Sequence, residues 1–245
     1  MDKEALIFDL DGTLAESKQP IDAETADLLK RLAENRKVAI ITGGSFAQIE
    51  KEFVSRMPQD TKWDHFFLFP ASGTSFYRRD NGAWKEVYAE KLSDEEKKRI
   101  TSILLEAEAR LGLAESKIYG EKVEDRGSQV TYSALGQAAP VEVKRVWDPD
   151  KEKRRRIAAL VTPFLSGYSV GIGGMTSIDV TKGGIDKGYG VRRVSETIGV
   201  PIEKMAFVGD ALMPGGNDYP ARSTGIECVE VAGPEDTKRF IKGLI

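Results

Sequence analysis

The chain has 245 residues, with 36 Lys or Arg against 39 Asp or Glu, a formal net charge of -3, 40% apolar residues and 31% charged residues. That balance excludes a mostly disordered chain and lacks the basic footprint of a general nucleic-acid binder. One cysteine, Cys228, and one histidine, His65, exclude an intrachain disulfide framework and a metal site built from several cysteines or histidines, and argue against a Ser-His-Asp triad.

Met1 to Glu4 is polar and charged, so no signal peptide is expected. The longest apolar runs, such as Phe66 to Phe69, fall far short of a bilayer span, and a cytoplasmic protein without a membrane partner is expected. Ala5-Leu6-Ile7-Phe8 reads as a buried parallel strand, which shows little alternation, and ends in Asp9-Leu10-Asp11-Gly12-Thr13. Residues 22–36 carry Ala26, Leu29 and Leu32 at helical spacing behind a plausible N-cap, Asp22. Lys37 to Ile41 is a second strand, ending in Thr42-Gly43-Gly44-Ser45, and a helix is expected to follow through Met57. Phe66 to Phe69 is a third strand. Strands near 75–79 and 84–88 flank the Asp80-Asn81-Gly82 turn signal.

The rhythm then changes. Ser93-Asp94-Glu95-Glu96 has the form of a capping box, and Ile100, Ile103, Leu104, Ala107 and Leu111 continue at helical spacing. Strand-like pieces follow at 117–124 and 129–135. A helix is expected from Pro149 to about Leu165, and a hairpin from 168–172 and 177–181. The parallel rhythm returns with a helix over 185–198, strands at 205–208 and 226–231, and a helix over 234–244. The pattern predicts an α/β parallel-sheet domain, residues 1–87 and 185–245, interrupted by an α+β insertion, residues 88–184. The basic run Lys151 to Arg156 is expected to be a solvated helix face. His65, Cys228, Trp63, Trp84 and Trp147 are expected to be packing or structural residues.

Three polar clusters follow the ends of expected parallel strands: Asp9 with Asp11, Thr42-Gly43-Gly44, and Gly209-Asp210. In open α/β sheets ligands bind in that crevice. Each cluster alone is ordinary turn chemistry, but their coincidence at three strand ends is hard to explain by turns. Two carboxylates brought close need a proton or a cation between them, and without histidine an oxygen-liganded Mg²⁺ is the natural choice. Thr42 and the Gly43 and Gly44 amides suit phosphate oxygens, and Lys187 adds a positive charge. These parts suffice for phosphoryl transfer, with a carboxylate as nucleophile and a second, two residues along, as acid and base.

Asp9-Leu10-Asp11-Gly12-Thr13, Thr42, Lys187 and Gly209-Asp210 resemble, in order and spacing, the four motifs of the haloacid dehalogenase (HAD) superfamily. The insertion resembles that superfamily's type IIB cap on a Rossmann-like core. Residues 209–218, residues 173–180 with Asp186-Lys187, and Pro234 to Thr237 are similar to motifs of the eukaryotic-type phosphomannomutases. That resemblance implies Asp9 as the phosphorylated nucleophile and Asp11 as acid and base. It implies Mg²⁺ held by Asp9, the Asp11 carbonyl and Asp210, with Asn217 and Asp218 in support. Thr42, Gly43 and Lys187 would hold the transferring phosphoryl group, and Arg126, Ser177 and Asp179 the sugar or its distal phosphate. It also implies a phosphorylated small-molecule substrate, expected to be a hexose phosphate, and a homodimer through the cap.

The chain departs from that family at Gln137, where a cap arginine is expected, and at Lys18, where another arginine stands near the first motif. Arginine grips a phosphate with two bonds, and glutamine offers only a neutral amide. Lys122, Lys144 and Arg145 are the cations that could compensate. The thinned clamp favours a sugar-phosphate phosphatase over the alternative, a mutase interconverting hexose 1- and 6-phosphates. A binding module that lost its chemistry is the remote third reading, since it would need none of the core acidic residues.

Overall fold

A computed structural model describes residues 2–245. It divides into two compact units, one formed by the chain up to Ala89 together with Ile185–Ile245, the other by Glu90–Gly184.

In the first unit, β1 (Ala5–Phe8), β2 (Lys37–Ile41), β3 (Phe66–Phe69), β4 (Ser75–Asp80), β5 (Ala83–Ala89), β10 (Met205–Gly209) and β11 (Glu227–Glu230) form one sheet in the order β11-β10-β1-β2-β3-β4-β5. The members from β11 to β3 pair in parallel, and the β4–β5 hairpin adds antiparallel strands at the edge. Strand alternation splits the apolar residues between two faces. Leu6, Phe8, Val38, Ile40 and Val208 pack with Leu28, Leu29 and Leu32 of α1 (Ala23–Leu32), Ile49 of α2 (Phe46–Glu52) and Ile241 of α7 (Pro234–Lys242). Ile7, Ala39, Ile41 and Phe207 pack with Val191 and Val194 of α6 (Lys187–Ile198) on the other face. Each fully buried aliphatic or aromatic side chain contributes about 1.5–3 kcal/mol, so two such layers fix the strand ends that carry the polar clusters. Asp22 caps α1 by accepting from the Thr25 amide at 2.8 Å, as its sequence position implies.

The second unit is a four-stranded antiparallel sheet, β6 (Val123–Asp125), β7 (Gln129–Ser133), β9 (Ser177–Lys182) and β8 (Tyr168–Gly173), in the order β6-β7-β9-β8. Val130, Tyr132, Ile178 and Val180 face Ile100 and Leu104 of α3 (Asp94–Arg110) and Ile157 and Val161 of α5 (Glu152–Val161). The strand expected over 117–124 shrinks to β6, and a short helix α4 (Val141–Trp147) stands where none was expected. Pro149 lies in the break after α4, and α5 begins at Glu152, after Lys151 in the left-handed region at φ 64°. The basic run is not all solvated. Arg154 is 2% exposed, and its Nε donates to Asp148 Oδ2 at 2.7 Å. Trp147 is buried, donating to Glu115 at 2.8 Å, and His65 Nδ1 meets the Ala33 carbonyl at 2.7 Å, both structural contacts. Among the described residues no helix is long and apolar enough to cross a membrane.

Candidate active site

β10, β1 and β2 are neighbours, and each runs directly into a polar residue: Asp210, Asp9 and Thr42. The register pairs Phe8 with Val208 on one side and Ile40 on the other, so the three ends lie within one residue of one another. Lys187 opens α6, whose N-cap Asp186 accepts from the Tyr189 amide at 2.8 Å. The Lys187 ammonium donates to Asp9 Oδ1 and to the Ile41 carbonyl at 3.1 Å, and stands 3.2 Å from Asp218 Oδ1. Asp9 and Lys187 are each 2% exposed. Burial, with smaller pushes from the Asp218 and Asp11 charges, outweighs the downward pull of Lys187 and raises the Asp9 carboxyl to about 7. Burial alone would lower the Lys187 value, but the Asp9 and Asp218 charges outweigh it and raise it.

Carboxylate oxygens of Asp9, Asp210 and Asp218 lie within 4.8 Å of one another. Asp9 Oδ2 is buried without a hydrogen-bond partner, and Asp218 Oδ1 is buried with only the Lys187 ammonium near it. Burial and the Asp218 charge both raise the Asp210 carboxyl, and a bond from Thr13 Oγ1 at 3.1 Å opposes them. Crowded carboxylates, one of them with a bare buried oxygen, are what a hard, oxygen-liganded divalent cation neutralises, so these residues fit one. The Asp218 carboxylate is held by the Ala211 amide at 3.2 Å, while Asn217 is exposed beside it. Gly12 has φ +83°, and a Cβ there would sit 2.6 Å from Asp210 Oδ2, so this turn admits no side chain.

Asp11 points its carboxylate another way. Oδ1 accepts from the Lys18 backbone amide at 2.6 Å and Oδ2 from Gln48 Nε2 at 3.0 Å. Gln48 Nε2 also donates to Glu52 at 2.9 Å. Thr42 is 2% exposed, and its hydroxyl accepts from the Gly44 amide at 3.0 Å, with Gly43 between them. The turn after β3 backs this loop: the Ala71 amide donates to Gly44 O and the Ser72 amide to Thr42 O, both at 2.8 Å. Ala71 and Ser72 both hold positive φ, 48° and 58°, a strained backbone of the kind that collects at functional sites.

In the second unit, Ser177 and Asp179 share a face of β9, two residues apart. Asp179 Oδ1 accepts from Thr131 Oγ1 at 2.7 Å, which accepts from Gln129 Nε2 at 2.8 Å. Arg126 donates to Glu124 through Nε at 3.0 Å and Nη2 at 2.7 Å. Of the cations that could stand in for an arginine at 137, Lys122 is paired with Glu108 at 2.7 Å, Lys144 is buried and donates to the Gln137 backbone carbonyl at 2.9 Å, and Arg145 is exposed.

The sequence signals located every strand-end residue but not Gln48, Glu52 or the Lys18 amide. Ser45-x-x-Gln48 has the spacing of a capping box, which marks a helix start and not a contact to Asp11. Taken together, the first unit places a buried carboxylate beside an ammonium, two further carboxylates and a hydroxyl-amide loop. That arrangement suits attack on phosphorus and neutralisation of phosphoryl charge.

Comparisons with known proteins agree. The chain is 28% identical to a phosphomannomutase of Encephalitozoon cuniculi, covering 98% of this chain and 93% of that protein. It is 27% identical to phosphomannomutase 1 of Homo sapiens, covering 94% and 88%. A haloacid dehalogenase-like hydrolase of Bacteroides thetaiotaomicron superposes with a TM-score of 0.63 at 14% identity, over 99% of this chain and 100% of that one, and so shares the fold. The protein is thus an enzyme of the HAD phosphotransferase type. The profile of the family described as eukaryotic phosphomannomutase matches residues 25–245, and the chain belongs to that family.

Proposed function

We propose that the protein is a Mg²⁺-dependent phosphomannomutase that moves a phosphoryl group between the 1- and 6-positions of a hexose phosphate. The observation that carries this reading is the extent of the family match. It runs over 25–245 and so includes the whole second unit, which a hydrolase sharing only the fold would have no reason to match. The sequence-based preference for a phosphatase gives way to it.

Asp9 attacks phosphorus through a carboxylate oxygen, and the bond from phosphorus to the sugar oxygen breaks. Asp11 delivers its proton to that leaving oxygen. In the return step the free hydroxyl of a hexose monophosphate attacks the aspartyl-phosphate to form a bisphosphate, Asp11 takes its proton and the Asp9 carboxylate is released; Asp9 then takes the phosphoryl group from the other position of that bisphosphate, which leaves the isomeric monophosphate. Lys187, Thr42 and the Gly43 amide hold the phosphoryl oxygens throughout. Asp9, Asp210, Asp218 and the Asp11 carbonyl would hold Mg²⁺, which would supply positive charge against the phosphoryl oxygens. Arg126, Ser177 and Asp179 hold the sugar or its distal phosphate.

Hydrolysis, with water in place of the second hydroxyl, is favoured by one observation, the neutral Gln137. The test is a ³¹P NMR time course on mannose-1-phosphate with Mg²⁺, with and without a hexose-1,6-bisphosphate. A 6-phosphate product that depends on the bisphosphate supports the mutase. Inorganic phosphate as the main product overturns it in favour of the hydrolase.

A further inference from the structure

We propose that Gln48 is a positioning residue that fixes the orientation of Asp11, and that the buried Glu52 is its anchor. The inference rests on the reading of Asp11 as acid and base.

The Gln48 amide nitrogen carries two N–H donors, and both go to carboxylates: Asp11 Oδ2 at 3.0 Å and Glu52 Oε2 at 2.9 Å. Ionised carboxylates only accept, so the amide has one sensible orientation, nitrogen toward the pair. Its oxygen then lies against Gly44, where an added Cβ would overlap Oε1. The loop that carries Thr42 and Gly43 therefore makes room for this side chain.

Capping does not explain the arrangement. Gln48 is the third residue of α2 and its backbone N–H meets Ser45 Oγ at 3.3 Å, one half of a capping box. The other half would turn the Gln48 side chain back to the Ser45 amide. α3 shows both halves, with Glu96 Oε2 accepting from the Ser93 amide at 2.6 Å. In α2 the side chain reaches the two carboxylates instead. Glu52 lies one helical turn on, on the same face, and is 4% exposed. Burying a carboxylate is costly, and holding the amide that holds Asp11 gives that cost a purpose.

The other oxygen of Asp11 is gripped as well. The Lys18 amide reaches Oδ1 at 2.6 Å from a residue at φ 58°. A carboxylate held at both oxygens keeps its plane and still has lone pairs for a proton. Gln48 contributes the side-chain half of that grip.

The test uses Gln48→Met, close in shape but without donors, Gln48→Met combined with Glu52→Met, and the milder Gln48→Asn, which draws the amide back by one methylene. Turnover of mannose-1-phosphate and of an aryl phosphate is measured beside thermal melting. In Gln48→Met the melting temperature falls, kcat drops about tenfold to a hundredfold and KM stays within about twofold, since misplacing a reacting group by about 1 Å costs that much. In the double variant melting recovers and kcat does not. Gln48→Asn lowers kcat in the same direction. Wild-type kcat in the double variant would mean that Gln48 only shields Glu52 and would overturn the proposal. So would a raised KM at unchanged kcat. Intact turnover in Asp11→Asn would overturn the acid-base reading itself.

Discussion

Lys187 and Asp9, 178 residues apart in sequence, form a buried hydrogen-bonded ion pair at the end of β1, the middle one of the five parallel strands. Removing one partner of such a pair leaves an uncompensated buried charge. Lys187→Met is therefore expected to destabilise the first unit by about 3–5 kcal/mol, and to abolish measurable turnover. Lys187→Arg should not rescue it, because a planar fork does not fit where a point charge meets Asp9, the Ile41 carbonyl and Asp218 together. Urea unfolding and steady-state kinetics check both. A Lys187→Met protein as stable as wild type would show that Asp9 is already protonated in the folded state.

Asp9, Thr42 and Asp210 were legible in the sequence for a physical reason, and Lys187 as a residue near the start of an expected helix. Strands buried on both faces read as unbroken apolar runs, so a polar residue that ends one is easy to place. The closeness of the Asp218 carboxylate to Asp9 and Asp210 was not legible, because a loop residue's side chain is set by packing and not by period. Arg154 was misread because a run of charges says nothing about which one is turned inward. Gln48 was missed because its spacing fits an ordinary capping role. α4 escaped because a seven-residue segment carries too little periodicity to declare itself.

The carboxylate cluster predicts metal dependence. Chelation should suppress turnover and added Mg²⁺ should restore it. Asp218→Asn keeps the shape of the side chain and removes one charge from the cluster, so the Mg²⁺ concentration giving half activity should rise about tenfold to a hundredfold. Melting gives a second readout, since a cation that binds only the folded state raises the midpoint with its concentration. If Mg²⁺ shifts the wild-type and Asp218→Asn midpoints equally, Asp218 is not part of the site.

Gly12→Ala tests the turn between Asp11 and Asp210. The substitution meets both an unfavourable φ of +83° and the Asp210 carboxylate, 2.6 Å from the new carbon. A loss of about 1–3 kcal/mol is expected from the backbone alone. Pushing Asp210 aside should also weaken Mg²⁺ binding, visible as a smaller metal-induced rise in melting temperature. A stable variant with unchanged metal response would show that the turn yields without moving Asp210.

The Asp148–Arg154 pair predicts a pH dependence in the second unit. Burial works to raise the Asp148 carboxyl, but bonds from the Arg154 side chain and from the Lys153 and Arg154 amides outweigh it and hold it below its ordinary 3.8. The folded protein therefore binds fewer protons here than the unfolded chain as pH falls past that value. The stabilisation is fully present above about pH 4 and is lost as pH drops through the folded-state value. Asp148→Asn leaves Arg154 buried without its counter-charge and should cost about 3–5 kcal/mol near neutral pH. The gap to wild type should narrow on acidification to about pH 3, below the ordinary 3.8, where the unfolded chain takes up a proton that the folded pair resists. Urea unfolding at the two pH values measures it, and a gap that stays constant would refute the pair's role. The same variant should loosen the β8–β9 turn, because Arg154 Nη1 also donates to Gly173 O at 3.1 Å and Gly174 O at 2.5 Å. Faster amide exchange at Thr176 and Ser177 would register that, and with it a rise in KM for the sugar phosphate, since those residues follow the turn directly.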